Sequence, residues 1–394
     1  MSIDTAERYG AHNYHPLPIE ITEAEGAWVT DTAGRRYLDM LSAYSALNHG
    51  HRHPRIVAAA RAQLDRVTLT SRAFHNDRLG PFLQRLAGVS GFSRVLPMNS
   101  GAEAVETAIK AARKWGETVK GIPAGKAEII VAADNFHGRT VTIVSFSTEP
   151  LYRHGFGPFT PGFVVVPYGD AAALEAAMGP NTAAVLLEPI QGEAGVIVPP
   201  DGYLRAARAA CDRHRALLIL DEIQTGLCRT GRTWCFEHEG IRPDGITVGK
   251  ALGGGILPVS AFCADDAVMG VFTPGTHGST FGGNPLAAAV AFESLAVLEE
   301  EGLAARAATL GAGFMAALRA LGSPKIKEVR GKGLLVGLEL HASAGTARPY
   351  CEALAERGVL CKDTHEQVIR FAPPLTISEA DLHSVLPVVA EVLA

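Results

Sequence analysis

What the sequence lacks excludes several protein classes. It has no excess of basic charge: 36 lysines and arginines stand against 41 acidic residues, a net charge of −5. With no basic stripe either, neither a nucleic acid nor a membrane is an expected partner. No apolar run is long enough to span a bilayer, and Leu286 to Phe292 is stopped by Glu293. The N-terminus, Met1-Ser-Ile-Asp-Thr-Ala-Glu-Arg8, lacks the apolar core of a signal peptide and does not read as a transit peptide. The six cysteines are scattered and none forms a CxxC pair. In a chain of this length, reduced thiols and a cytoplasmic location are the expectation. Nucleotide and hydrolase signatures are missing as well. There is no GxxxxGK[ST] and no GxSxG, and Gly331-Lys-Gly333-Leu-Leu-Val-Gly337 is not GxGxxG. No internal repeat or low-complexity linker is present.

What is present is a globular composition, 47% hydrophobic and 20% charged, over 394 residues. That length exceeds one ordinary core, so two or more domains are expected. Residues 1–40 read as irregular apart from a hairpin at Trp28 to Leu38. Strand patterns at Arg94–Met98, Glu128–Ala133, Phe163–Pro167, Ala183–Glu188 and Leu217–Asp221 alternate with helical ones at Ala102–Trp115 and Tyr203–His214. The alternation predicts an α/β domain built on a mostly parallel sheet with helices on both faces. After about residue 290 two helical stretches precede strands near Ile326–Arg330, Leu334–Leu340 and Gln367–Phe371, a smaller α+β pattern. The expected division is an N-terminal segment, 1–40, packing with the small domain; a large domain, 41–290; and the small domain, 291–394.

Two strand ends carry opposite charges. Leu217-Leu-Ile-Leu closes on Asp221, and Ile246-Thr-Val-Gly closes on Lys250. Ligands of parallel sheets sit at the carboxyl ends of the strands. A carboxylate and an amine there fit pyridoxal phosphate, whose aldehyde needs a lysine and whose ring nitrogen needs an acid. A buried Asp–Lys ion pair explains the same residues. Asn99-Ser100-Gly101-Ala102 lies where a strand gives way to a helix, and a helix N-terminus suits a phosphate. The same serine also reads as a plain N-cap with Glu103 nearby. His49, His51 and His53 resemble a metal cluster at first sight, but further ligands and a rigid frame are missing from the pattern, and no metal is expected. Arg139, after Asn135-Phe136-His137-Gly138, and Arg370, at the end of a strand, are candidates for binding carboxylates. Glu193 is a potential counter-charge to one of them.

Taken together these segments resemble the class III aminotransferases of the fold-type I pyridoxal phosphate enzymes. The likeness runs from about Asn13 to the C-terminus. It is carried by Leu69-Thr-Ser-Arg-Ala-Phe74, Glu188-Pro-Ile-Gln-Gly-Glu-Ala-Gly195, Asp221-Glu-Ile-Gln-Thr-Gly226, Leu252-Gly-Gly-Gly255, His277-Gly-Ser-Thr-Phe-Gly-Gly-Asn-Pro285 and Ile369-Arg-Phe-Ala-Pro-Pro374. The resemblance implies that Lys250 holds the cofactor and moves protons, and that Asp221 pairs with the ring nitrogen. It implies that Gln224 lies on the ring hydroxyl side, that Phe136 stacks on the ring, and that Ser100, Gly101 and Ala102 grip the phosphate. Thr280 would reach the phosphate of the neighbouring subunit in a homodimer. Tyr44, His75, Arg139, Glu193 and Arg370 would handle substrate.

Within the family the likeness is to ornithine-type enzymes, which move the δ-amino group of ornithine to 2-oxoglutarate. His75 stands where those enzymes favour tyrosine, and His137 where tryptophan is common. Other ω-amine donors, N-acetylornithine, 4-aminobutyrate or lysine, are the alternative. A non-catalytic scaffold is the remote one, since a scaffold has no use for Lys250, Asp221, Arg139 and Arg370 together.

Overall fold

A computed structural model describes residues 2–394. Its centre is a sheet of seven strands: β4 (Arg94–Met98), β5 (Glu128–Ala132), β6 (Phe163–Val166), β7 (Thr182–Leu187), β8 (Leu217–Asp221), β9 (Gly245–Val248) and β10 (Ser260–Ala264). Their order across the sheet is β4-β10-β9-β8-β7-β5-β6, with every pair from β9 to β6 parallel.

The strands are apolar without interruption because both faces are buried, and successive side chains point to opposite faces. Ile129, Val131, Leu186, Leu217 and Ile219 join one core with Val105, Ile109 and Ala112 of the Gly101–Trp115 helix. Their neighbours Ile130, Val185, Leu187, Leu218 and Leu220 join the other, with Leu204, Ala207 and Ala210 of the Tyr203–His214 helix. The fold is thus an α/β layering with helices on both faces.

β10 departs from the pattern. It is antiparallel to both β4 and β9, and nothing in Ser260-Ala-Phe-Cys-Ala264 except Phe262 favours a strand. Tertiary fit explains it. Gly245 on β9 lies against the Phe262 ring, where a Cβ would come within 2.8 Å, so the missing side chain of one strand admits the ring of the next. Because β10 reverses direction between them, β4 points the same way as β8 and β9. The carboxyl ends of β4, β5, β7, β8 and β9 therefore share one edge.

Two smaller sheets complete the molecule. One joins β1 (Ile21–Glu25), β2 (Trp28–Asp31) and β3 (Arg36–Asp39) to β13 (Val359–Leu360), with β3 and β13 parallel. The other is antiparallel, in the order β11 (Ile326–Lys332), β12 (Leu335–Leu340), β15 (Val368–Phe371), β14 (Lys362–Thr364). The first forty residues are more regular than their sequence suggests: a helix at Ser2–Tyr9 precedes the three strands. β1 is largely exposed and so carries no apolar alternation to read. Among the described residues no helix is long and apolar enough to cross a membrane.

Candidate active site

The shared carboxyl edge opens on a cavity of about 230 Å³. Each strand end delivers something to it: β4 the helix start at Gly101 and Ala102, β5 Phe136 and His137, β7 Glu188, β8 Asp221 and Gln224, and β9 Lys250.

Asp221 is 5% exposed and held from three sides. Its Oδ1 accepts from the Ile223 amide and the Thr247 hydroxyl, each at 3.1 Å, and its Oδ2 lies 2.6 Å from Nδ1 of His137. Burial alone would lower the pKa of His137, but the hydrogen bond and charge of Asp221 outweigh it and raise it. Lys250 follows Gly249 and adopts φ 44°, a left-handed conformation that an L-residue rarely takes. Burial lowers the pKa of its amine, against the pull of Glu193 and Asp221. A lysine so depressed is better able to act as a nucleophile and base.

At the head of the Gly101–Trp115 helix, Ser100 and Glu103 form a reciprocal capping box. That box satisfies the Ser100 and Glu103 amides, while Gly101 and Ala102, whose first-turn N–H groups have no acceptor within the helix, line the cavity. Such a turn favours an anion. The Phe136 amide donates to Glu188 Oε2 at 2.9 Å. Burial raises Glu188 to about 7, the neighbouring His137 offsetting part of the rise.

A second cluster closes the far wall. Arg370, 1% exposed on β15, meets Glu193 at 2.6 Å. Burial would raise the pKa of Glu193, but the Arg370 charge and hydrogen bond prevail and hold it at about 2. Glu193 is therefore ionised across neutral pH. Gln224 Nε2 donates to Glu193 Oε1 at 3.2 Å and to the Tyr44 carbonyl at 3.4 Å. Gly192 makes room for this amide: a Cβ there would lie 1.4 Å from Gln224 Oε1. The Arg370 guanidinium stands 5.4 Å from the Tyr44 ring centre.

Tyr44 sits in an unusual segment, Ser42 to Ser45, whose four φ angles all lie between 47° and 68°. One left-handed turn of L-residues costs about 1–2 kcal/mol per residue, and Asp39 Oδ1 steadies it by accepting from the Leu41 and Ser42 amides. Backbone strain of this kind gathers where a side chain must be aimed. Arg139 is exposed, its guanidinium 3.6 Å from the Tyr152 ring centre and 5.4 Å from that of Phe136.

Of the residues singled out in the sequence, Lys250, Asp221, Gln224, Gly101, Ala102, Phe136 and Glu193 line one cavity. Ser100 caps the adjoining helix, Arg370 and Tyr44 join through Glu193 and Gln224, and Arg139 joins through Phe136. His75 and Thr280 do not reach it; both are exposed on loops of this chain. His49, His51 and His53 have separate partners, the Ser294 carbonyl, Asp39 and Glu301, and among the described residues no three metal-ligating groups converge. Sequence reasoning passed over His137 and Glu188 as members of the site. The available signal was their place just past the ends of β5 and β7.

An amine and a carboxylate at the carboxyl edge of a mostly parallel sheet, with a helix start for a phosphate, are the parts that an enzyme acting on amines through a phosphorylated pyridine cofactor needs. Comparison with known proteins specifies which. Residues 9–393 match the aminotransferase class-III family, and the chain belongs to it. An ornithine aminotransferase of Brevibacillus brevis is 58% identical over 391 residues, 99% of this chain and 97% of that protein. The ornithine aminotransferase of Bacillus subtilis is 57% identical over the same length. The crystal structure of the Toxoplasma gondii ornithine aminotransferase superposes with a TM-score of 0.98 at 46% identity, covering 100% of this chain and 94% of that one. An acetylornithine aminotransferase from Elizabethkingia anophelis is 49% identical with a TM-score of 0.91, covering 100% and 98%.

Class III aminotransferases use pyridoxal phosphate. The residues present suit it: Gln224 Oε1 and His137 Nε2 are buried polar atoms without a hydrogen-bond partner, both on residues that line the cavity. Native interiors rarely leave such atoms unsatisfied unless a ligand or water completes them.

Glu188 gives the cavity a pH signature. Its folded pKa lies above the ordinary 4.5, so the stability it contributes is full below about 4.5 and is lost as pH rises through about 7. Glu188→Gln, measured by urea unfolding of the cofactor-free protein, should gain on the unsubstituted protein between about pH 5 and about pH 8. A difference that stays flat across that range contradicts the assignment.

Proposed function

We propose that this protein transfers the δ-amino group of L-ornithine to 2-oxoglutarate. The products are L-glutamate and glutamate-5-semialdehyde, which cyclises to pyrroline-5-carboxylate. When bound, pyridoxal phosphate supplies an electron sink that withdraws charge from the donor carbon. In this reading Lys250 Nζ would hold the cofactor at rest and, when free, would take the proton from the donor's δ-carbon. Asp221, oriented by His137 and Thr247, would pair with the ring nitrogen and stabilise the charge that develops. Phe136 would cover the ring, Gln224 would lie on its hydroxyl side, and Ser100, Gly101 and Ala102 would hold the phosphate.

The observation that carries the choice of substrate is the Glu193–Arg370 ion pair at 2.6 Å. One site must take an ω-amine in one half-reaction and build an α-amine in the other. Arg139 would bind the distal carboxylate in both halves. While Glu193 neutralises Arg370, the far wall offers no free cation to a second carboxylate, and ornithine presents its δ-amine. When 2-oxoglutarate binds, Glu193 would swing away and Arg370 would take the α-carboxylate. Tyr44 would contact the α-amino end of ornithine; His75, which does not reach the cavity of its own chain, could take part only across a subunit interface.

The reading includes a homodimer in which Thr280 of the partner subunit completes the phosphate site. Phe74 and Phe281, 72% and 54% exposed, flank His75 and Thr280, and large apolar side chains next to functional residues suit a subunit interface. Six buried, unpaired thiols suit the reducing cytoplasm.

Rapid mixing of the cofactor-loaded protein with single donors tests the substrate. Ornithine should convert the cofactor to its amine form at least about tenfold faster than N-acetylornithine, 4-aminobutyrate or lysine. Faster reaction with N-acetylornithine would favour the activity named for the Elizabethkingia relative. Glu193→Gln should slow the ornithine half-reaction by about 10- to 100-fold, because a free Arg370 then captures the donor in the wrong orientation. The glutamate half-reaction should change little, and equal losses in both halves would rule out the gate.

A further inference from the structure

The loop that carries Thr280 is tied to the phosphate-facing helix by an imidazole whose protonation state can be deduced. Thr107, on the Gly101–Trp115 helix, gives its hydroxyl hydrogen to the Glu103 carbonyl at 2.7 Å. Toward His277 Nε2, 2.9 Å away, Thr107 Oγ1 can then only accept, so Nε2 carries a hydrogen. The ammonium of Lys110, one turn further along, lies 2.8 Å from His277 Nδ1. An ammonium only donates, so Nδ1 is the acceptor and bears no hydrogen. His277 is thus neutral, in the Nε2–H form. Phe272 stacks on its ring at 5.1 Å.

A second tie lies two residues on. Asn99 Nδ2 donates to Ser279 Oγ at 2.9 Å, and Asn99 immediately precedes the helix cap Ser100. Just beyond the second tie, Thr280 is exposed. The loop root is therefore fixed to the same helix whose first turn faces the cavity, while its tip points outward.

We propose that neutral His277 is a positioning residue that clamps the Thr280 loop, and that its protonation releases the loop and loosens the cofactor phosphate across the subunit interface. The second half rests on the reading that Thr280 completes the partner's phosphate site. The charged groups acting on His277 are Lys110, which disfavours its protonation, and Glu103, which favours it; burial, the largest influence, also disfavours it. A proton on Nδ1 replaces the hydrogen bond from Lys110 with two cationic donors face to face. The clamp consequently weakens on the acid side, below the ordinary histidine range.

The test uses the cofactor-loaded dimer. Amide hydrogen exchange of residues 273–283, corrected for intrinsic rates, is compared at about pH 8 and about pH 4.5, well under the ordinary imidazole value. Exchange should quicken roughly tenfold on acidification, the fold-change of one lost charge-assisted hydrogen bond. Cofactor dissociation into a scavenging apoenzyme should quicken in parallel. His277→Asn keeps an acceptor for Lys110 and has no proton to gain, so both rates should lose their pH dependence. Lys110→Met removes the repelled partner and should blunt the acid effect with His277 in place. Loop exchange that is equally slow at both pH values in the unsubstituted protein overturns the proposal. If acid loosens the loop while dissociation stays constant, and Thr280→Ala also leaves dissociation constant, the clamp stands. The reading of Thr280 as a phosphate ligand then falls.

Discussion

Lys250→Ala abolishes turnover, lowering the rate by at least about 10⁴-fold, and removes the absorbance band of the lysine-linked cofactor. The size follows from two losses at one atom. The amine is the only lysine among the residues lining the cavity, so no neighbour can take over the attachment of the cofactor. A positioned general base contributes about 10²- to 10⁴-fold by itself, and covalent positioning adds to that. The substitution leaves the backbone comparison fair. Lys250 already holds φ 44°, and alanine meets the same penalty there. The variant should therefore fold and still bind the cofactor without a covalent link. Small exogenous amines, able to enter the space left by the side chain, should restore part of the rate. Turnover within tenfold of the unsubstituted protein would remove Lys250 from the chemistry.

Asp221→Asn has the second largest effect. The amide keeps an oxygen for the Ile223 amide and the Thr247 hydroxyl, so the local hydrogen bonds at 3.1 Å survive. The negative charge does not. Proton removal from the donor should slow by about 10²- to 10³-fold, the range for one preorganised electrostatic partner. A donor deuterated at the δ-carbon should then show its full primary isotope effect, because proton removal has become the slow step. His137 supplies an internal check. Its pKa is raised by Asp221, so a titration followed on the His137 ring should move downward in the variant. Full activity in Asp221→Asn would mean that another acid serves the ring nitrogen.

Much of this arrangement is legible in the sequence for one physical reason. Strands buried on both faces read as unbroken apolar runs, and the charges that end two of them stand out. Asp221 and Lys250 are visible in that way, as are the strands at Glu128, Thr182 and Leu217. β10 is not, because Ser260-Ala-Phe-Cys-Ala264 owes its conformation to the gap left by Gly245 and not to its own propensity. Contacts between distant residues are hidden as well. Nothing local announces that His137 will meet Asp221, 84 residues away, whereas Glu193, expected as a counter-charge to one of two arginines, meets Arg370 across 177 residues. The left-handed turn at Tyr44 contains no glycine to mark it. His75 and Thr280 sit on exposed loops, where a single chain leaves them without the surroundings that a partner subunit would supply.

The central claim is that the Lys250 amine and the Asp221 carboxylate serve opposite poles of one pyridine cofactor. Borohydride reduction of the yellow protein, followed by peptide mass spectrometry, tests it most directly. The account predicts one modified peptide, carrying the reduced cofactor on Lys250 alone, and no such peptide from Lys250→Ala. A label on a different lysine, or a yellow protein that reduction leaves unlabelled, would contradict it.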